Sequence, residues 1–500
     1  MFKILATTDV HGNLLAYDFV TSKQAIKGLS KFSTYLKQQR ALHHVIYIDN
    51  GDINQGTPLV TYANSYVPEN ISAKALNLLS CDFVNIGNHD FNYGSDFLYR
   101  YIQENQAKCV TSNVFYKNQP IGQTHVITCD EKKIGLVGVV TDYIEHWENP
   151  NNLTHLDILS VIDTVKKEVA HIRQEVDYVV VVYHGGFERD IETGEPTERL
   201  TGENVGYALC TEIDGIDVLI TGHQHRQLVG KINGTHIIQA PDGCFKCMEI
   251  TFSDTISVNL IDVSEYEVDT EFENYFKNEL DKTENWLDTE IGTTNLKDCY
   301  IKDIKQAQLT KHPITAFINQ VQMTYMQADI SACCLFDVMP GFGDTLKYRD
   351  IILNYPFPNT LVLKEMTGQH IMDYLTQLSQ YWVVKEDAID INPKFLYPKR
   401  EVYNYDLLDG ITYTMNISKT KDNFISDVYV KGEPLILEKT YKLVLNNYRA
   451  TGGGNFAMFP ELKTIKEDTH DIAEILIDYV KEKRHIVITD EQNIRLTVVD

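Results

Sequence analysis

Apolar runs punctuate the first half of the chain at residues 3–6, 45–48, 83–86, 134–140, 178–182 and 218–220. The fifth contains four consecutive valines, Val179 to Val182. A strand with one wet face alternates apolar and polar residues. Uninterrupted apolar runs therefore predict strands buried on both faces. Amphipathic stretches with helical spacing, such as 25–39 and 161–174, lie between them. This alternation predicts an α/β architecture with a mostly parallel sheet. An acidic segment, 264–290, spaces Tyr266, Phe272, Tyr275 and Phe276 as a helix would, and reads as a connector. Beyond about residue 301 the pattern becomes mixed. Helices are expected at 313–326 and 367–380, and strands at 360–364, 410–416 and 441–445. The expected organisation is a first domain over 1–263, a linker over 264–300 and a second domain over 301–500.

Polar clusters follow the apolar runs. They include Thr7-Thr8-Asp9-Val10-His11-Gly12-Asn13, Asp49-Asn50-Gly51-Asp52, Gly87-Asn88-His89-Asp90, Tyr183-His184-Gly185-Gly186 and Thr221-Gly222-His223-Gln224-His225-Arg226. Ligands of open α/β sheets bind outside the carboxyl ends of strands, where these clusters fall. Asp and Asn are ordinary turn residues, but turn chemistry does not demand histidine. In extended backbone, His223 and His225 would face one side.

Composition narrows the partners. Against 45 Lys and Arg stand 70 Asp and Glu, a net charge of −25. Such a surface argues against coating a nucleic-acid polymer or adsorbing to anionic lipid. A phosphate ester would need bound cations to attract it. Nine scattered cysteines do not form a disulfide framework, and Cys244-Phe245-Lys246-Cys247 reads as a reduced structural pair. No apolar leader opens the chain and no run approaches the length of a membrane span, so a cytoplasmic, membrane-free protein is expected.

Asp9, His11, Asp52, Asn88, His184, His223 and His225 mix carboxylate, amide and imidazole without thiolate. That set suits divalent manganese, zinc, iron, cobalt or magnesium rather than a closed structural zinc site. Seven ligands suit two cations about 3.5–4 Å apart that share a carboxylate. The ordered pattern D-x-H, GD, GNH, H-G-G and GHQH, over Asp9 to His225, resembles the calcineurin-like metallophosphoesterases. The resemblance implies an N-terminal four-layer α-β-β-α sandwich joined by a helix to a C-terminal α+β nucleotide-binding domain. It implies that Asp9, His11 and His225 hold one metal and that Asn88, His184 and His223 hold the other, with Asp52 bridging. His89 would contact the phosphate, so His89, Asn88 and Asp52 form the expected catalytic group. Asp49, Asp90, Asp142 and His43 match no ligand position.

Further phrases resemble the branch that holds 5'-nucleotidases and 2',3'-cyclic-nucleotide 2'-phosphodiesterase/3'-nucleotidases. They are Asn50 to Pro58, Gly87 to Gly94, Tyr355-Pro356-Phe357-Pro358-Asn359-Thr360-Leu361, Tyr403 to Gly410 and Asn446 to Gly454. Two departures favour the cyclic-nucleotide group. The Asn-Gly-Gly-Gly-Ile-Arg-like phrase of 5'-nucleotidases is replaced by Phe336-Asp337-Val338-Met339-Pro340-Gly341-Phe342. Asn92, rather than Asp, stands three residues after His89. Asn can orient an imidazole but brings no charge. The implied substrate is a small nucleotide, attacked in line at phosphorus by metal-activated hydroxide. Tyr403 and Tyr448 are the candidate base-stacking residues, with Phe456 and Tyr405 next. Arg449 would reach ribose or phosphate, or form a salt bridge. Alternatives are a 5'-nucleotidase or UDP-sugar hydrolase, and a catalytically degenerate nucleotide-binding protein.

Overall fold

The computed structural model describes every residue except 147, 199, 358, 398–399, 469 and 490. Pro358, part of the phrase beginning at Tyr355, lies outside the described residues. The chain divides into two compact units, Met1–Glu284 and Asn285–Asp500.

In the first unit all six apolar runs are strands: β1 (Phe2–Thr7), β2 (His44–Asp49), β3 (Phe83–Val84), β4 (Lys132–Val140), β5 (Tyr178–His184) and β6 (Val218–Thr221). They form two sheets, as the resemblance to the metallophosphoesterases implies, rather than the one sheet that the run pattern alone suggests. β1, β2 and β3 run parallel in the first six-stranded sheet. β4, β5 and β6 run parallel in the second. Antiparallel partners extend both, such as β7 (Lys246–Phe252) beside β1. Which strands share a sheet is invisible in the runs themselves, because a strand buried on both faces looks the same in one sheet or two.

The valine run shows how the layers assemble. Val180 and Val182 point between the sheets and join Ile4, Ile48, Leu136 and Ile220 in one core. Val179 and Val181 point outward and pack with Val137 and Val139 against α2, Val161–Ile172. Full burial stabilises by about 1.5–3 kcal/mol for each such side chain. On the opposite face, α1 (Leu29–Leu42) sets Phe32 with its ring 4.9 Å from that of Tyr47 in β2. The result is helix, sheet, sheet, helix.

Two buried asparagines tie the sheets together where the strands end. The Asn85 amide donates to Asn50 Oδ1 at 2.9 Å, to the Val139 carbonyl of β4 at 2.9 Å and to the Val182 carbonyl of β5 at 3.2 Å. Asn50 in turn donates to the Tyr183 carbonyl at 3.2 Å. The carboxyl ends of strands from both sheets therefore meet at one edge.

The second unit is α+β. The residues expected as linker contain the helices Thr270–Tyr275 and Lys277–Leu287, followed by β8 (Glu290–Tyr300). β8 pairs antiparallel with β10 (Gly341–Lys347), so the second unit starts before residue 301. Pairing with a distant strand leaves no local sequence signal. A five-stranded sheet contains β9 (Ile330–Cys334), β11 (Leu361–Thr367), β12 (Asp406–Asp409) and β14 (Thr440–Asn446). A four-stranded sheet is built on β13, Ile411–Ser418. The expected helices are α3 (Pro313–Met326) and α4 (Gly368–Ser379). All nine cysteines are buried and unbridged. Among the described residues, no helix is long and apolar enough to cross a membrane.

Candidate metal centre

Each polar cluster is a loop leaving a strand of the sandwich, and the loops hold one another in place. Asp9 N–H donates to the Gly51 carbonyl at 3.0 Å, joining the loops after β1 and β2. The loop after β6 joins them through His223 N–H, which donates to both Asp9 carboxylate oxygens at 3.0 Å. Asp90 collects Gly87 N–H at 2.8 Å, Asp52 N–H at 2.9 Å and the Asn54 amide at 2.8 Å. It is a clamp between two loops rather than a ligand.

These constraints hold an unusual backbone. Asp9, His11, Asp52, His223 and His225 all have positive φ, between 48° and 69°. Each such residue costs about 1–3 kcal/mol and persists only where the surroundings over-determine it. Two glycines allow the close approach. A Cβ on Gly87 would meet Asp52 Oδ1 at 2.2 Å, and one on Gly222 would meet Asp9 Oδ2 at 2.7 Å.

All seven candidate ligands come together. Asp9, His11 and His225 form one group, with His11 Nε2 3.1 Å from His225 Nε2 and His225 Nε2 3.4 Å from Asp9 Oδ1. Asp9, Asp52 and His184 form a second, with His184 Nε2 3.1 Å from Asp52 Oδ2 and 3.8 Å from Asp9 Oδ1. Asn88 Oδ1 lies 2.8 Å from His223 Nδ1, and the His223 ring lies 5.9 Å from that of His184.

The second group tests whether a cation fits. His184 Nδ1 lies 2.6 Å from the Asn50 carbonyl, which can only accept, so the proton sits on Nδ1. Nε2 then turns a lone pair toward Asp52 Oδ2. Both atoms are fully buried and, among the described residues, neither has a hydrogen-bond partner. Orphaned buried acceptors cost free energy unless something positive lies between them. Without a cation that charge must be a proton: burial opposes it, but Asp52 and Asp9 lift His184 to about 10. Burial alone would raise Asp52, yet His184 and His89 hold it well below the usual carboxylate range. Burial and the neighbouring His225 push His11 down to about 4, keeping that imidazole neutral and able to donate a lone pair. Ionised carboxylates and a neutral His11 suit a divalent cation, which would displace the proton from His184 on binding.

Sequence reasoning missed three supports. Glu203 Oε1 lies 2.9 Å from His223 Nε2, the nitrogen turned away from Asn88. Gln55 approaches His11 Nδ1 at 3.2 Å through both its carbonyl and its side chain. Glu148 reaches Asn92, which itself holds His89 Nδ1 at 2.8 Å. Gln55 stands inside a quoted phrase. Glu203 and Glu148 lie in loops with no periodicity, and only the folded chain brings them near.

The second unit places the base-stacking candidates unequally. Tyr403 and Tyr448 are partly exposed, their ring centroids 6.4 Å apart and tilted by 68°. Phe456 and Tyr405 are buried, Tyr405 stacked on Tyr381 at 4.9 Å. Arg449 is also buried. It donates to Asp406 at 2.8 Å, to the Tyr403 carbonyl at 3.2 Å and to the Gly453 carbonyl, so it fastens the loops that carry the two tyrosines. The salt bridge expected as one role of Arg449 is present.

Comparison with known proteins points the same way. Residues 2–227 match the family described as calcineurin-like phosphoesterase, and residues 290–461 match the 5'-nucleotidase C-terminal domain. The chain is 25% identical to the 2',3'-cyclic-nucleotide 2'-phosphodiesterase/3'-nucleotidase of Salmonella typhimurium, over 90% of this chain and 81% of that protein. It is 24% identical, over 97% of its own length, to the trifunctional nucleotide phosphoesterase YfkN of Bacillus subtilis, of which it spans only 38%. A candidate 5'-nucleotidase from Staphylococcus aureus, solved in complex with α-ketoglutarate, superposes with a TM-score of 0.88 at 29% identity, covering 99% of both chains.

Proposed function

The chain belongs to the calcineurin-like phosphoesterases that carry a 5'-nucleotidase C-terminal domain, and from that premise we propose that it hydrolyses nucleotide phosphoesters at a two-metal centre, with 2',3'-cyclic nucleotides and 3'-nucleotides as substrates. The observation that carries the metal reading is the pair of orphaned acceptors, His184 Nε2 and Asp52 Oδ2, facing each other at 3.1 Å. Asp9, His11 and His225 would hold one cation, Asn88, His184 and His223 the other, and Asp52 both. When bound, such cations supply the positive charge that receives phosphoryl oxygens and acidify a water molecule.

The protein's own groups do the rest. Asp9 and Asp52, fixed by backbone N–H donors, keep their charge directed at one spot. His89 lies beside this spot, its ring 5.3 Å from that of His11. With Nδ1 occupied by Asn92, its Nε2 is the nitrogen left to meet a phosphoryl or leaving oxygen. In the second unit Tyr403 and Tyr448 would take the base, after turning toward parallel, for roughly 1–3 kcal/mol of stacking.

The preference for cyclic and 3' substrates rests on Asn92 and on the loop after β9, where Asp337 pairs with Arg400 at 2.6 Å and no glycine-rich arginine phrase is present. Hydrolysis of 5'-nucleotides is the second reading, favoured by the full-length match to the Staphylococcus aureus structure. Manganese-loaded protein should turn over 2',3'-cyclic AMP and 3'-AMP at least about tenfold faster, in kcat/KM, than 5'-AMP. Exclusive turnover of 5'-AMP would overturn the substrate assignment. Adenosine binding with no turnover of any phosphoester would overturn the catalytic one.

A further inference from the structure

His89 and Asn92 stand three residues apart in a single tight turn, Asn88–Phe91 capped by Asn92. In such a turn residues i and i+3 eclipse, so the two side chains meet. Asn92 Oδ1 lies 2.8 Å from His89 Nδ1, and Asn92 Nδ2 donates to Glu148 Oε2 at 2.6 Å. Glu148 comes from the loop beyond β4. Its other oxygen accepts the Asn149 N–H and the Asn152 amide, each at 2.8 Å. Asn152 also donates to the Asn92 carbonyl at 2.9 Å.

An amide can face either way, and an imidazole can carry its proton on either nitrogen. A carboxylate can only accept. Facing Glu148, Asn92 must present its NH2 group to the carboxylate and its oxygen to the ring. Facing that oxygen, His89 must carry its proton on Nδ1. The choice made at Glu148 is thus transmitted through two hydrogen bonds to the nitrogen that faces the centre.

We propose that Glu148 is a positioning residue whose carboxylate, acting through Asn92, fixes the tautomer and orientation of His89 and supplies the negative charge that Asn92 lacks. The proposal rests on the reading in which His89 meets the phosphate. With a glutamine at position 148 the Asn92 amide is free to flip and the tautomer is no longer set. With the groups exchanged, Asn92→Asp together with Glu148→Gln, every hydrogen bond regains a partner. The new carboxylate accepts from His89 and from the new amide, whose oxygen accepts from Asn149 and Asn152.

Two readouts test this. The first is kinetic, on a soluble phosphodiester with manganese. Glu148→Gln should lower kcat roughly tenfold or more while KM stays within about twofold, and the exchanged pair should recover to within about threefold of wild type. The second is spectroscopic and needs no turnover. In protein labelled with 15N-histidine, with His89→Gln identifying the resonance, His89 should be Nδ1-protonated in the wild type and the exchanged pair but mixed in Glu148→Gln. An unchanged kcat, or the same tautomer in Glu148→Gln as in the wild type, overturns the proposal. Should Glu148→Gln alone fail to fold, the exchanged pair decides: folded but still slowed tenfold, it also overturns it. A wild type that cleaves no phosphoester sinks the proposed function, and the tautomer measurement then still judges the relay.

Discussion

His184 in the first unit and Arg449 in the second are both buried nitrogen bases facing an aspartate. Arg449 is satisfied: Asp406 receives it at 2.8 and 3.2 Å, and backbone carbonyls of two loops take further donors. Asp406 is satisfied in turn, since Tyr374 donates to it at 2.5 Å. His184 is left incomplete. Its Nε2 and Asp52 Oδ2 face each other at 3.1 Å with no other partner among the described residues, a pair completed only by a positive charge. A closed network of charges holds loops together, and an open one has room for a missing charge. The same residue types serve as scaffold or as ligand according to whether their valences are filled from within the chain.

The largest effect that could break this contrast is on activity. Asp52→Ala should lower metal-dependent kcat/KM by at least about 10³-fold and reduce the bound metal measured by elemental analysis. Full metal content with retained activity would show that the open cluster is not a ligand set. Arg449→Met should act on stability, since removing one partner of a buried pair costs about 3–5 kcal/mol. Denaturant titration should show this loss, and the metal-free Asp52→Ala protein should lose less. Equal losses would erase the distinction between scaffold and site.

A smaller effect concerns Asp49, a fully buried carboxylate beside the cluster that belongs to neither class. Among the described residues it accepts only from Thr7 at 2.6 Å and Gly51 N–H at 3.2 Å. Burial, opposed by the Thr7 hydrogen bond, raises it to about 7. With a folded value above the unfolded 3.8, the folded state holds the proton longer. Its contribution to stability is therefore fully present below about pH 4 and is lost as pH rises toward 7. Asp49→Asn should remove that slope, so its stability relative to wild type should rise by up to about 1.4 kcal/mol per pH unit across the window. Parallel pH–stability curves for the two proteins would show that Asp49 is charged throughout.

Much of the site was legible in the sequence because its chemistry is local in origin. The apolar runs marked β1 to β6, and the Asp, Asn and His that follow them are carried by the strand ends themselves. Residue types and order were enough to name seven candidate ligands and His89, which the fold brings together. What the sequence did not contain was partnership. Four valines in a row showed burial on two faces, and only the tertiary structure decided that one face meets a second sheet and the other a helix.

The same limit explains the residues that were missed or left open. Glu148 and Glu203 carry no periodicity, and their roles arise from single hydrogen bonds to Asn92 and His223 across 56 and 20 residues of chain. Arg449 reads equally well as ligand or as strut until the carbonyls of Tyr403 and Gly453 are seen around it. Strand propensity and ligand type are set by neighbours along the chain, so the sequence determines them alone. Whether a buried valence is filled or open depends on atoms brought together from distant segments, and that only the folded structure decides.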